Sequence, residues 1–277
     1  MGTLSGTMNN LLVRIITALL GATVLIGAIV WHAMGFAVVF GVILLFTLKE
    51  FYGLSRISGT KPFELWGLIL ALVCFSVLFY SYQVESLQDI YWLLPILFSV
   101  VFVYPLIQLN KTNAIDCLAI SVLGLFYIAL PFCLLVPIAF VQGDYHFELI
   151  IGILFIQWAN DSGAYFSGKA LGKTKLFEKV SPNKTWEGTI GGCLLGLIFA
   201  YGFFYFFGTL GMYQWLVLGV IITVFGTLGD LVESLFKRTL AIKDSGSILP
   251  GHGGFLDRFD SLLLALPFAT AYIHAIL

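Results

Sequence analysis

The residues best suited to chemistry in this sequence lie in a short window near its C-terminal end. Residues 229–260 hold nine charged side chains in 32 positions, although only 10% of the whole chain is charged. Within this window, the spacing i, i+3, i+4 and i+7 relates Asp230, Glu233, Ser234 and Lys237. On a helix these four side chains share one face. Lipid cannot solvate such a polar stripe, so the stripe predicts a functional site. The alternative is a cluster of salt bridges between helices.

Two further groups of carboxylates extend this pattern. Asp257 and Asp260 repeat the i, i+3 spacing beside Arg258, and Asp161 follows an apolar run at residues 150–159. Carboxylates gathered from several helices repel one another unless a cation neutralises them. Mg²⁺ favours carboxylate oxygens, and substrate phosphates commonly complete its coordination shell. The pattern therefore predicts a magnesium site and a substrate that carries phosphate.

Two connecting segments could bind that phosphate. The string 249–254, Leu-Pro-Gly-His-Gly-Gly, holds three glycines that permit positive φ and exposed N–H groups, although an ordinary loop has the same composition. Ser181-Pro182 is typical of a helix cap followed by proline at the first helical position. With Lys184 close behind, such a helix start would bind an anion, whereas the lysines of 169–179 could equally form a solvated loop. His252 could donate to phosphate, act as a general acid or hydrogen-bond within its loop.

The elements that must position these residues are membrane helices. The chain is 60% apolar and 10% charged, against about 25% charged in a soluble domain. We predict an all-α, polytopic membrane protein, with scaffold helices at 1–140 and the helices that carry the site at 141–277. Nine apolar runs approach the length that crosses a hydrocarbon core of about 30 Å: residues 11–30, 33–48, 65–84, 90–109, 115–140, 148–167, 188–208, 213–235 and 260–277.

Charge placement predicts how these helices are oriented. With nine spans, all 14 Lys and Arg residues fall on one side of the membrane, and the opposite connections hold acidic residues but no Lys or Arg. Cytoplasmic loops carry such an excess of basic residues, so we expect a cytoplasmic N-terminus and an external C-terminus. The near-zero net charge and the lack of a basic tail give no reason to expect nucleic acid. Gly188, Gly192 and Gly196 are spaced for close helix packing.

Three stretches of sequence resemble the phosphatidate cytidylyltransferases, the CDP-diacylglycerol synthases of bacteria. The first runs from Ser234 through Lys237-Arg238, Lys243-Asp244-Ser245-Gly246 and 249–260, where every fixed position of the family signature is present. The other two are Asp161-Ser162-Gly163-Ala164-Tyr165 and residues 181–188, Ser-Pro-Asn-Lys-Thr-Trp-Glu-Gly. Asn183 departs from the residue, commonly lysine, that members often carry.

The resemblance implies that CTP and phosphatidic acid give CDP-diacylglycerol and pyrophosphate, with Mg²⁺ and possibly a second cation. It also implies a homodimer in the bacterial cytoplasmic membrane. On this basis Asp230 and Asp257 are the expected metal ligands, with Asp161 and Asp260 as second choices. The residues expected to act in catalysis are Asp230, Asp257, Lys237, Arg238, His252 and Arg258. Those expected to bind substrate phosphate are Ser181, Lys184, Thr185, Ser234, Lys243, Gly251, Gly253 and Gly254.

Two other functions fit the same polar pattern. A CTP-dependent polyprenol or phytol kinase would also need carboxylates at the inner face and a nucleotide site. A transporter could use the carboxylates to bind a cation, although charges clustered at one membrane face disfavour it, because transporter sites usually lie near the midplane.

Overall fold

The fold is almost entirely helical, as predicted. The computed structural model describes residues 2–107, 113–246, 248 and 253–277, without the side chains of 2–15, 85, 88 and 104–107. Its long helices are α1 (Gly2–Trp31), α2 (Ala33–Ile57), α3 (Glu64–Gln83), α4 (Leu93–Ile107), α5 (Ala114–Gly124), α6 (Leu130–Ala139), α7 (Phe147–Leu171), α8 (Trp186–Phe207), α9 (Met212–Thr239) and α10 (Leu256–Ile276). A π-helical turn at Leu125–Ala129 joins α5 to α6, and short 3₁₀ helices cover Glu85–Trp92 and Val141–Gly143.

Every run predicted to cross the membrane is helical in the described residues. Six helical segments combine the length and apolar character of a membrane span: Ala33–Ile57, Glu64–Gln83, Ala114–Ala139, Trp186–Phe207, Met212–Thr239 and Leu256–Ile276. Shorter apolar helices cover Ile16–Trp31 and Asp89–Val103, and α7 carries polar residues in its second half. The polytopic all-α architecture is confirmed, whereas nine crossings and a cytoplasmic N-terminus stay predictions.

A two-stranded antiparallel hairpin between α7 and α8 was not predicted. Strand β1 (Lys175–Phe177) pairs with β2 (Ser181–Thr185), so that Lys175 lies opposite Thr185 and Phe177 opposite Ser181. The expected helix start at Ser181-Pro182 is therefore wrong. Helix α8 begins at Trp186, and the cap is Thr185, whose Oγ1 accepts a hydrogen bond from the Gly188 N–H at 3.1 Å. Ser181, in contrast, lies five residues before Trp186, the first residue of the helix.

Helices α7 and α8 pack backbone to backbone, because glycines line the contact. A Cβ atom placed on Gly192 would lie 2.6 Å from the Asn160 carbonyl oxygen, and one on Gly188 would lie 2.9 Å from the Ala164 oxygen. At Gly196 the neighbour is a methyl group of Thr223 on α9, at 2.6 Å. The predicted packing role of these three glycines is confirmed. It fixes the polar end of α7, around residue 161, against the start of α8.

The two parts of the chain share one hydrophobic core. Phe36 and Phe40 of α2 are fully buried in the same cluster as Ile153 of α7 and Leu266 of α10. Helix α10 packs on α9, α6 and α2. The helices predicted as scaffold thus contact the helices that carry the candidate site.

Candidate active site

A cavity of about 250 Å³, lined largely by residues with polar or charged side chains, opens where α7, β2, α8, α9 and α10 meet. Its lining includes Asp161 and Tyr165 from α7, Lys184 and Thr185 from β2, and Asp230 from α9. Three of these five side chains are charged in a chain that is 10% charged overall. The structure therefore brings together residues that lie up to 69 positions apart in the sequence.

An ion pair spans this cavity. Lys184 Nζ lies 2.7 Å from Asp230 Oδ2 and 3.5 Å from the carbonyl oxygen of Thr227, one turn earlier on α9. Ser234 donates a hydrogen bond to the other oxygen of Asp230 at 3.2 Å. Both charged side chains keep part of their surface exposed, 24% for Lys184 and 34% for Asp230. An entering ligand can therefore reach either partner.

Two more carboxylates lie near Asp230. Asp161 accepts a hydrogen bond from Gln157 Nε2 at 2.8 Å and repels Asp230 across the cavity. Asp260 is buried, accepts from the Ser261 N–H at 2.6 Å, and interacts with the charges of both Asp230 and Asp161. Three of the four predicted metal ligands therefore lie in one region of negative charge.

The donor set at this cavity fits a partly protein-bound Mg²⁺ ion. Among the residues the structure describes, no group of three or more His, Cys, Asp or Glu side chains is arranged to hold a metal by itself. Asp161 and Asp230, however, both line the cavity, and Mg²⁺ is usually bound through one or two carboxylates with the remaining positions taken by water and substrate phosphates. Their mutual repulsion is what a cation would relieve.

Asp257 belongs to a second cluster, outside the cavity lining. One of its oxygens lies 2.9 Å from Lys237 Nζ, and its carboxylate accepts from the backbone N–H groups of Ser245 and Gly254 at 3.0 and 2.8 Å. Lys237 also forms an ion pair with Glu233, whose side chain is almost completely buried. Asp257 thus connects α9, the segment after it and the start of α10. Its role as a metal ligand beside Asp230 stays a prediction.

The hairpin β1–β2 is tied to both neighbouring helices. The Glu187 carboxylate of α8 accepts from the backbone N–H groups of Lys173 and Thr174, at 3.2 and 3.1 Å. From α9, Arg238 Nε donates to the Val180 carbonyl oxygen at 3.2 Å. In the structure Arg238 therefore holds the hairpin turn. These contacts fix β2, and with it Lys184, at the mouth of the cavity.

The remaining predicted residues fall into three groups. Lys243 and Arg258 are exposed, so both cations are free to meet a polyanion. Gly253 has φ of +82°, as expected for a glycine-dependent turn, and the N–H of Gly254 donates to Asp257. Gly251 and His252 lie outside the described residues.

One buried acidic residue was missed by the sequence reasoning. Glu50 lies in α2, just beyond the run predicted as the second span, yet its carboxylate accepts from the Leu256 N–H at 2.9 Å. The available signal was an acidic side chain just after an apolar run, which is costly unless something uses it. Its partner is 206 residues away, so no local pattern reveals the contact.

Comparison with known proteins agrees with this architecture. The model of the cytidylyltransferase family matches residues 12–276. The chain is 37% identical to the phosphatidate cytidylyltransferase of Bacillus subtilis over 261 residues, which cover 92% of this chain and 94% of the relative. The chain is 35% identical to the Staphylococcus aureus (strain COL) protein of the same name over 258 residues, which cover 92% of this chain and 96% of the relative. The Haemophilus influenzae protein of that name is 44% identical over 144 residues, half of each chain. This chain therefore belongs to the cytidylyltransferase family.

Proposed function

We propose that this chain transfers the cytidylyl group of CTP to phosphatidic acid, forming CDP-diacylglycerol and releasing pyrophosphate. The observation that carries the proposal is the cavity in which Lys184 meets two carboxylates at the end of apolar helices. The relatives named phosphatidate cytidylyltransferase support it, because two of them align with 92% of the chain. Apolar helices that enclose a cavity lined by charged residues suit a lipid substrate and a water-soluble nucleotide.

The reaction needs charge neutralisation more than it needs a strong base. A phosphate oxygen of phosphatidic acid attacks the α-phosphorus of CTP, the bond from that phosphorus to the bridging oxygen of the β-phosphate breaks, and pyrophosphate leaves. Since the second pKa of a phosphate monoester is about 6, the nucleophile is already largely dianionic at neutral pH. The difficulty is to bring two polyanions together, so positioning and electrostatic stabilisation carry the catalysis.

Lys184 is the residue we expect to bind substrate phosphate in the cavity. It lies on a strand flanked by Val180 and Glu187, which both form hydrogen bonds to neighbouring segments, and its ammonium group is already beside Asp230. A phosphate group entering the cavity can replace Asp230 as its partner. The exposed cations of Lys243 and Arg258 are available to draw the nucleotide towards this end of the helices.

Asp161 and Asp230 are the residues that would hold Mg²⁺. When bound, the ion would neutralise phosphate charge and stabilise the leaving pyrophosphate. The chain itself contributes two carboxylates, one on α7 and one on α9. The glycine contacts of α8 with these two helices fix the distance between the helices. For Asp257 to take part as the family signature suggests, its carboxylate would have to give up its contact with Lys237.

The location and assembly of the enzyme form part of the same proposal. CTP is water-soluble and the phosphatidic acid headgroup lies at the membrane interface, so the cavity should open to the cytoplasm and to the inner leaflet. We also expect a homodimer from the family resemblance. Native mass spectrometry of the detergent-solubilised chain would measure its mass, and a purely monomeric, active preparation would contradict the dimer.

The decisive experiment follows the phosphorus that reaches the lipid. Purified chain in phosphatidic acid vesicles is given CTP labelled at either the α- or the γ-phosphate. Label from the α-phosphate in the lipid, with pyrophosphate released, is the expected result. Label from the γ-phosphate would identify a lipid kinase, and transport across sealed vesicles without CTP consumption would identify a transporter. Either of these outcomes would contradict the proposed function.

A further inference from the structure

Glu50 of α2 reaches from the N-terminal half of the chain into the segment that precedes α10. Its buried carboxylate accepts a hydrogen bond from the N–H of Leu256, the first residue of α10. The N-terminal N–H groups of a helix have no partner within the helix, and a negative charge there is favourable. Glu50 therefore caps α10 from another helix.

Two glycines leave the space that this carboxylate occupies. A Cβ atom on Gly254 would collide with the Oε2 atom of Glu50, and a Cβ on Gly246 would lie 2.5 Å from Oε1. Neither glycine has a positive φ, so the space, and not the backbone conformation, accounts for the absence of a side chain. Next to this carboxylate, the rings of Phe46 and Phe255 stack with centroids 5.1 Å apart. Helix α2 thus contacts the segment through a charged group and an aromatic pair.

The segment that Glu50 holds also positions Asp257. Gly254, against which the Glu50 carboxylate packs, donates its N–H to Asp257, and Asp257 in turn pairs with Lys237. Movement of Leu256 would also displace Asp257, because the two residues are adjacent in the first turn of α10. A displacement of about 1 Å at reacting groups can cost about 10²-fold in rate.

We propose that Glu50 is a positioning residue for the reaction, which fixes the start of α10 and hence Asp257 and the glycine segment before it. The contacts of Glu50 described above are with Leu256, Gly254 and Gly246, none of which lines the cavity, so we expect it to act through Leu256 and Gly254. This inference rests on the proposed function for its activity readout. Hydrogen exchange supplies a second readout that does not depend on turnover, so failure of this proposal can be told apart from failure of the proposed function.

The test compares three single variants. Glu50→Ala should raise amide exchange in the peptide covering 253–258 by about ten- to a hundredfold, the factor that a hydrogen bond to a charged group is worth. Its kcat and kcat/KM should fall together by about 10²-fold, because geometry in the transition state is what is lost. Glu50→Gln keeps an acceptor oxygen at the same distance and should recover most of both values. Ser55→Ala is the control, since this buried hydroxyl of α2 donates only to the Tyr52 carbonyl.

A double-mutant cycle then isolates the packing contact. Gly254→Ala should lose less activity in the Glu50→Ala background than in the wild type, because the colliding carboxylate is gone. Gly253→Ala should lose the same amount in both backgrounds, because its cost comes from a positive φ and from Asp257 Oδ2, which lies 2.8 Å from the added Cβ. Equal coupling of both glycines to Glu50 would overturn the proposal. So would unchanged exchange in Glu50→Ala, or a Glu50→Gln loss as large as that of Glu50→Ala.

Discussion

At the scale of single residues, we expect the ion pair of Lys184 and Asp230 to be sensitive to substitution, because it lies in the cavity lining. Asp230→Asn keeps the size of the side chain but leaves Lys184 beside a neutral amide and removes one of the two carboxylates in the lining. We expect lipid-dependent pyrophosphate release to fall by at least about 10²-fold, as when one electrostatic contact to a developing charge is removed. Turnover by the protein in phosphatidic acid vesicles measures the effect.

A matched control for this prediction is Asp116→Asn, which neutralises an exposed aspartate at the start of α5. It should leave turnover unchanged, and both variants should reach the membrane in wild-type amounts. Near-wild-type release of pyrophosphate by Asp230→Asn would contradict the assignment of the cavity as the active site.

The second residue-scale prediction concerns the buried cluster around Lys237. Lys237→Met leaves the carboxylates of Glu233 and Asp257 without their shared cation, and the Glu233 side chain is almost fully buried. Removal of one partner from a buried ion pair costs about 3–5 kcal/mol. We therefore expect a lower unfolding temperature in detergent, measured by the exposure of buried cysteines to a thiol dye.

The double variant Lys237→Met/Glu233→Gln offers the internal check on that prediction. It removes one of the two unpaired charges and should recover part of the lost stability. If Lys237→Met unfolds at the wild-type temperature, the cluster does not stabilise the fold, and Lys237 would be free for the catalytic role expected from the sequence.

At the scale of elements, the contact between α7 and α8 determines how far Asp161 lies from Lys184. Gly192→Ala would place a Cβ atom 2.6 Å from the Asn160 carbonyl oxygen. Because the backbone on both sides is rigid, the two helices would have to move apart to relieve this clash. Overpacking of this kind costs about 1–3 kcal/mol. We expect reduced thermal stability together with reduced turnover. Gly202→Ala on the same helix is the control, because its Cβ would meet nothing within 4 Å, and an equal loss in both variants would refute the packing argument.

The elements also show which parts of the fold the sequence could predict. Apolar runs of about 20 residues located the helices, because in lipid a helix satisfies its own backbone hydrogen bonds. The hairpin at 175–185 escaped prediction, since Ser181-Pro182 is equally typical of a helix start. What decides between the two is the Glu187 carboxylate, which binds the N–H groups of Lys173 and Thr174 before α8 begins.

The candidate site was predictable to a similar extent. Helical spacing identified Asp230 and Glu233, and charge in an apolar chain identified Asp161. Spacing alone could not show that Lys237 and Asp257 bind each other, because the two residues lie on different helices, α9 and α10, and helical spacing relates only residues of one helix. Glu50 was beyond reach for the same physical reason, as its contact depends on how α2 packs against α10.

At the scale of the whole molecule, the contacts sort into two ends of the helix bundle. One end holds the Glu50 contact to Leu256, the ion pair of Lys184 and the Arg238 contact to the hairpin. At the other end of α7, Glu148 accepts from Thr209 and Tyr145 donates to the Ile29 carbonyl. All five lysines of residues 169–184 belong to the first end. The positive-inside rule predicts that this end faces the cytoplasm, where CTP is found.

Thiol labelling from each side of the membrane tests this orientation. Helix α7 has 25 residues and is about 37 Å long, enough to cross a hydrocarbon core of about 30 Å. In a background with Cys74, Cys117, Cys133 and Cys193 replaced by alanine, Glu178→Cys places a thiol in the exposed hairpin turn. Asp144→Cys places one in the exposed connection before α7. An impermeant maleimide should label the first only in inverted vesicles and the second only in right-side-out vesicles. Labelling of both from one side would show that α7 does not cross, and the reverse pattern would place the cavity on the side that CTP does not reach.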